Sequence, residues 1–272
     1  MADLASVDLS KLDLPAPPTS LARLSALLST EDVNLTEMAR LIETDLAVAA
    51  AVMKTVSSPL YGLRGRARNV QQAISYLGTR EIAATVYQVS LQSAFPAAAE
   101  LRPLWERAAV RGILMGRLAK ELYLDAWCAH TAGLFEECGK AVLFKLAPDT
   151  YRPLLAKARN DIELVELEME AFGTRFDHLG ARLCESWHLH PGAVACVRRH
   201  VETLATHRLP KDSPRRAMSV LSALVHTLSS EPDQLEAMCQ ALAPQAMMDQ
   251  SQLLNGARRV KQQVDKALTE DD

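Results

Sequence analysis

Two adjacent carboxylates, a thiol and an amine fall within one nine-residue stretch, Ala132-Gly-Leu-Phe-Glu-Glu-Cys-Gly-Lys140. Glu136 and Glu137 could each give an oxygen to a divalent cation, which would activate water or clamp a phosphoryl group. Such a site needs several convergent oxygen or nitrogen ligands, with histidine common among them for transition metals. Two glutamates alone do not complete that set. Cys138 follows an acid, which raises a thiol pKa rather than lowering it, and no Ser/Cys–His–acid pattern accompanies it, so it reads as a small buried hydrophobe.

The histidines that could complete a site are few. His130 is near the stretch in sequence. His178, on a helix expected over Arg175 to Trp187, lies about 200° around from Phe176, away from the apolar stripe, and faces either a pocket or water. His188 and His190 form a His-x-His pair, but beside Trp187 and Pro191 they suit packing and capping better than metal binding. Arg64, Arg66 and Arg68 form the sharpest basic cluster, joined by Arg198, Arg199 and the run Lys211 to Arg216. A phosphate, a nucleotide or RNA could sit on such a patch. Without interleaved aromatic residues to stack bases, solvated arginines are the favoured reading, and nucleic acid is not an expected partner.

The elements that would position these groups are helices. Thr19 or Ser20 can cap a helix carrying Leu21, Leu24, Leu27 and Leu28, and Asn34 with Glu37 forms a capping box ahead of Leu35, Met38, Leu41 and Ile42. Asp45 caps Leu46 to Val56, whose nearly unbroken apolar and alanine content predicts burial on most sides at the centre of a bundle. Pro59 ends it. Asn69 caps Val70 to Leu77, Gly78 stops it, and Thr79 caps the next helix. A long helix over about Glu100 to Leu122 carries Leu101, Leu104, Ala108, Met115, Leu118 and Leu122 on one stripe. The acidic pair opens a central helix, about Glu136 to Leu146, entered by a small-residue turn. Further helices start at Pro148 and Ile162, Thr174 caps one ending near Trp187, and Pro191 starts another. From residue 213 come Arg216 to Leu228, Asp233 to Leu242 and about Gln250 to Leu268, the last charged and loosely docked.

Composition agrees. With 272 residues, 49% hydrophobic content, 11 glycines and 5% aromatics, the chain suits one large or two smaller helical cores rather than a sheet. A net charge of −3 excludes a strongly basic nucleic-acid-binding domain. Five cysteines without Cys-x-x-Cys spacing point to reduced thiols and a cytoplasmic location. No secretory signal or membrane-spanning run is expected.

The stretch Ala132 to Lys140 resembles the Gly-Leu-Leu-His-Asp-Ile-Gly-Lys signature of HD-type metal phosphohydrolases, with Glu136-Glu137 in the His-Asp place. A second resemblance is more specific. Asp45-Leu-Ala, Val52-Met-Lys54, Ser57-Ser-Pro-Leu-Tyr-Gly62, Ala73-Ile-Ser-Tyr-Leu-Gly78 and the Trp187 to Pro191 corner are similar to the HDOD (HD-related output domain) family over roughly Leu14 to His200. Ser57 stands where that family commonly has Asn. Carried over from the phosphohydrolases, Arg107 falls near the first His ligand and Glu136 and Glu137 on the dyad, while His178 is the remaining histidine that the alignment suggests. An arginine cannot ligate a cation. Arg107 is therefore expected to replace the metal by pairing with Glu136 or Glu137, unless all three are solvated surface charges.

What the resemblance implies is an all-α protein: a flexible leader over 1–13, an N-terminal five-helix bundle over 14–98 packed on a degenerate HD-like lobe over 99–212, and additional helices over 213–272. The implied function is that of a non-catalytic bacterial signalling regulator or scaffold, recruiting a protein partner in trans, with no cofactor, no metal and no membrane insertion. The rival is a residual metal-dependent phosphohydrolase, or a protein that binds a small nucleotide such as a cyclic dinucleotide, using Glu136, Glu137 and His178.

Overall fold

Side-chain caps set where the first helices begin. In the computed structural model, which describes residues 14–28, 33–58, 66–210 and 216–269, every regular element is helical and no strand occurs among the described residues. Asn34 accepts from the amides of Thr36 and Glu37, Asp45 from those of Ala47 and Val48, and Asn69 from that of Gln72. These caps open α2 (Leu35–Glu43), α3 (Leu46–Val56) and α4 (Val70–Leu77), which follow α1 (Thr19–Leu28) and precede α5 (Thr79–Ser93). Gly78, at φ 86°, joins α4 to α5 in a conformation that L side chains rarely adopt. Thr79 is the first residue of α5 and makes no cap bond, so the expected threonine cap is replaced by the glycine junction.

The structure corrects one expectation here. α3 buries only Val48, Val52 and Val56, one stripe at four-residue steps, and Leu46 is 83% exposed. Alanine forms helix readily without requiring burial, so an alanine-rich helix is not by that fact a central one. The most enclosed helix of this group is α5, with Ile82, Ala83, Ala84, Val86, Tyr87 and Leu91 buried.

The chain divides into two compact units, Ala16–Ala94 with Gln262–Asp272, and Met1–Pro15 with Phe95–Lys261. The second contains α6 (Arg102–Glu121), α7 (Ala126–Phe135), α8 (Cys138–Leu146), α9 (Pro148–Lys157), α10 (Asp161–Phe172), α11 (Phe176–Ser186), α12 (Pro191–Thr206), α13 (Arg216–Ser230), α14 (Leu235–Leu242) and most of α15 (Gln250–Thr269). Residues 216–261 thus belong to the same unit as 99–212. α13 is not an appendage: Val220, Leu221, Ala223, Leu224 and Val225 are buried, and it packs on α6, α7 and α12. α15 buries Leu253, Ala257, Val260 and Val264, so its charged residues occupy the outer face of an amphipathic helix.

α6 and α7 are the most intimate pair, and the reason is glycine. A Cβ on Gly133 would lie 2.8 Å from the Arg111 carbonyl oxygen, and Cβ atoms on Gly112 and Gly116 would press on His130 at 3.2 Å. The small residues before the acidic pair are therefore the close-packing face of α7, not a turn. Likewise Gly139 lets α8 touch α11, since a Cβ there would fall 1.8 Å from the Phe176 carbonyl oxygen. Trp187 packs edge-on against Phe135 and donates its Nε1–H to the Pro15 carbonyl at 2.7 Å. No helix among the described residues is long and apolar enough to cross a membrane.

Candidate functional site: a buried charge cluster

Glu136 ends α7 and Glu137 stands at the N-cap of α8, immediately before the helix that the pair was expected to open. They occupy the break between α7 and α8, so the chain turns at the two carboxylates and both side chains are buried. Five further elements deliver partners to them. From α6, Arg111 Nη1 approaches Glu136 Oε2 at 3.0 Å and Glu137 Oε2 at 3.5 Å. From α8, Lys140 binds Glu137 and reaches Asp161 Oδ1, at the start of α10, at 2.7 Å. From α12, His200 Nδ1 lies 3.0 Å from Glu136 Oε1, which also accepts from Ser222 on α13. One turn further along α13, His226 Nδ1 accepts from Arg111 Nη2 at 2.7 Å.

The charges balance locally. Burial opposes every ion here, yet the partners outweigh it. Burial would raise the Glu137 carboxyl, but Lys140 and Arg111 hold it low; His200 and Arg111 do the same for Glu136. Burial would lower His200, but Glu136 and Asp161 lift it to about 9, so it is an imidazolium at neutral pH. His226 is the opposite case, driven down to about 3 by burial and by His200 and Arg111, and stays neutral. Three carboxylates, Glu136, Glu137 and Asp161, thus face three buried cations, Arg111, Lys140 and His200. Such ions survive burial only as a matched set.

Lys140 also sits 4.6 Å from the centre of the Phe176 ring. Behind that ring, Tyr151 donates to Glu168 Oε1 at 2.6 Å and the Phe176 amide donates to Glu168 Oε2 at 2.7 Å. Burial pushes the Glu168 carboxyl up to about 7. Glu168 supplies the acceptor at the start of α11 that Thr174 was expected to supply; no side chain caps that helix from its own N-cap residue, Arg175.

The sequence-derived site residues fare unevenly. Arg107 does reach Glu137, at 3.3 Å, but its side chain is 52% exposed. The enclosed guanidinium belongs to Arg111, one turn later. His178 is exposed, and the charged groups that act on it are Asp177, Arg175, Arg198 and Glu202, none of them in the cluster. It stands two residues after Phe176 on the outer face of α11, so the structure does not bring it to the acidic pair. His130 is a half-buried filler between α6 and α7, stacked on Trp127. His190 caps α12 by accepting from the Gly192 amide at 3.1 Å. All five cysteines are buried, and none is in a disulfide. In the basic cluster Arg66 and Arg68 are exposed, while Arg64 lies outside the described residues; Arg198 and Arg199 pair with Glu185 and Glu202.

A metal does not fit the acidic pair. An ion bridging Glu136 and Glu137 would need the position that the Arg111 guanidinium holds between their Oε2 atoms. A neighbouring trio offers ligand-type atoms within 4.8 Å of one another, from Asp161, His200 and His226. Its nitrogens are poorly disposed to a cation: His200 is protonated, and His226 Nδ1 is already committed to Arg111.

Known proteins share the architecture. An uncharacterized protein of Treponema pallidum (strain Nichols) is 26% identical over 205 residues, covering 73% of this chain; the chain spans 38% of that relative's length. The crystal structure of a candidate signal transduction protein from Marinobacter aquaeolei VT8 matches with a TM-score of 0.76 at 20% identity, over 95% of this chain and 59% of that one. That of a candidate phosphohydrolase from Shewanella amazonensis SB2B matches with a TM-score of 0.71 at 19% identity, over 95% and 96%. The family model described as HDOD domain covers residues 14–203, including α8, the acidic pair, Arg111, Asp161 and His200, and the chain belongs to that family.

Proposed function

We propose that this protein is a non-catalytic regulatory module of bacterial signal transduction, working in the cytoplasm by binding a protein partner supplied in trans. The observation that carries this reading is the place of Arg111. Its guanidinium lies where a bridging metal would have to lie, and an arginine neither ligates a metal nor gives up its charge at physiological pH. With Lys140 and His200 it makes the cluster a neutral structural knot rather than a site awaiting a Lewis acid. The family membership and the name of the Marinobacter neighbour lend support to signalling.

The rival, small-nucleotide binding or residual hydrolysis, has one observation in its favour. A cleft of about 260 Å³ beside the cluster is lined by Arg107, Lys140 and Arg159, with Asp161 and Glu100 opposite. Guanidinium groups exposed at a cleft suit a phosphate. The two readings separate in one assay: hydrolysis of cyclic dinucleotides and of a model phosphodiester, with manganese added. No turnover is expected; turnover that disappears in Glu136→Ala would establish the enzyme.

A further inference from the structure

A second pocket, of about 190 Å³, opens on the other side of Asp161, walled by Asp161, Leu204, His226, Glu231, Ala237 and Met238. Behind its Asp161 wall, the buried atoms Asp161 Oδ2 and His200 Nε2 face each other as an ion pair at 3.8 Å, too far apart for a direct hydrogen bond, and neither has another hydrogen-bond partner. With a ring nitrogen of His226, ligand-type atoms of this trio lie within 4.8 Å of one another. Buried polar atoms left unpartnered cost free energy, so a convergent set of them points to a missing group.

The protons decide which group. Arg111 can only donate, so His226 Nδ1 accepts from it and the proton of that neutral ring is on Nε2. His200 Nδ1 faces the Glu136 carboxylate and carries a proton, while Nε2 faces the carboxylate of Asp161. Asp161 Oδ2 is thus an acceptor, while His200 Nε2 and His226 Nε2 each carry a hydrogen. A hydroxyl group matches that pattern, with one hydrogen to give and two lone pairs to receive. Charge narrows the class further. Arg111 and Lys140 behind the trio disfavour a cation, while the lining contains Asp161 and Glu231 but no Lys or Arg, which disfavours an anion. The volume lies between the roughly 150 Å³ cavity that holds benzene and the roughly 300 Å³ at which pockets for drug-sized ligands begin, too small for a nucleotide.

We infer that this pocket is a binding site for a small neutral molecule with a hydroxyl group on an apolar body, the hydroxyl bridging Asp161 to the imidazole N–H of His226 and the body resting on Leu204 and Met238. Occupation would be felt directly by the cluster, since Asp161 also holds Lys140 and His226 also holds Arg111. Four probes of one carbon skeleton test it: benzyl alcohol, toluene, benzylamine and benzoate, titrated into ¹⁵N-histidine-labelled full-length protein with ring nitrogens read by NMR, and zinc chloride in parallel. Benzyl alcohol should bind saturably and shift the His226 ring signals, with toluene weaker by about tenfold or more for want of the hydrogen bonds. Benzylamine, benzoate and zinc should bind less well than the alcohol. Ala237→Trp, an exposed position on α14 that fills the pocket without touching the cluster, should abolish the shifts. Absence of saturable binding by benzyl alcohol, or its survival in Ala237→Trp, would overturn the site; tighter binding of benzylamine, benzoate or zinc would overturn its neutral class. Neither result bears on whether the protein hydrolyses phosphodiesters.

Discussion

At the scale of single residues, Arg111 and Arg107 differ by one helical turn and by nearly everything else. Truncating Arg111 leaves Glu136 and Glu137 facing each other in a buried site, and removing one partner of a buried ion pair typically costs about 3–5 kcal/mol. Arg111→Ala is expected to lose that much in urea unfolding, whereas Arg107→Ala, at a half-exposed pair, should lose about 1 kcal/mol or less. Equal losses would contradict the assignment of the enclosed cation. The signal for Arg111 was in the sequence: Leu104, Ala108, Arg111, Met115 and Leu118 step by three and four along one buried stripe, and a charge on an apolar stripe needs a buried partner. His200, between Val197 and Val201 on α12, carries the same mark. Alignment by motif pointed to Arg107 because it matches residues by place in a string, whereas helical phase decides which side chain enters the core. Asp161, Ser222 and His226 carry no local mark, since their role exists only once α10 and α13 close on the acidic pair.

His200 makes stability depend on pH. Its pKa rises from 6.5 to about 9 on folding, so its contribution is fully present below about pH 6.5 and is lost as pH rises through about 9. Unfolding free energy should fall across that window by an amount of the order of 3 kcal/mol. In His200→Gln the fall should be much smaller when followed by chemical denaturation at pH 6, 7.5 and 9; an unchanged slope would mean that the ring is not charged in the fold.

At the scale of elements, glycines set how closely the helices of the second unit approach. Gly139→Ala would place a methyl group 1.8 Å from the Phe176 carbonyl oxygen, backbone against backbone, which no rotamer change relieves. It should cost about 4 kcal/mol or more, or prevent folding, because α8 and α11 must separate and Lys140 moves with α8. Gly180→Ala meets Cys138 Sγ and the Gly139 nitrogen at 3.2 Å, a far smaller overlap, and should be milder. Comparing soluble yield and melting temperature of the two variants checks this; equal behaviour would mean that the α8–α11 contact is looser than described. Helix positions were largely legible because caps at Asn34, Asp45 and Asn69 and the glycine after α10 are local chemistry. Burial was less legible where alanine dominates, as in α3, and α7 was missed because Ala132 and Gly133, part of its close-packing face, read locally as a turn. The break between α7 and α8 is imposed by the partners that the two carboxylates must reach.

At the scale of the whole molecule, the all-α class and the HDOD family follow from motifs spread across Asp45 to Pro191; the helices show the first and the family model over residues 14–203 shows the second. What those motifs could not show is how the acidic corner is neutralised, which depends on side chains from α6, α8, α10, α12 and α13 meeting in one buried volume. The central claim is that protein cations, not a metal, fill that volume. Elemental analysis of the purified full-length protein, equilibrated with manganese, iron and zinc and then desalted, tests it most directly. The account predicts well under one metal ion per chain, unchanged in Glu136→Ala; a stoichiometric ion in the native protein that is lost in Glu136→Ala would contradict it.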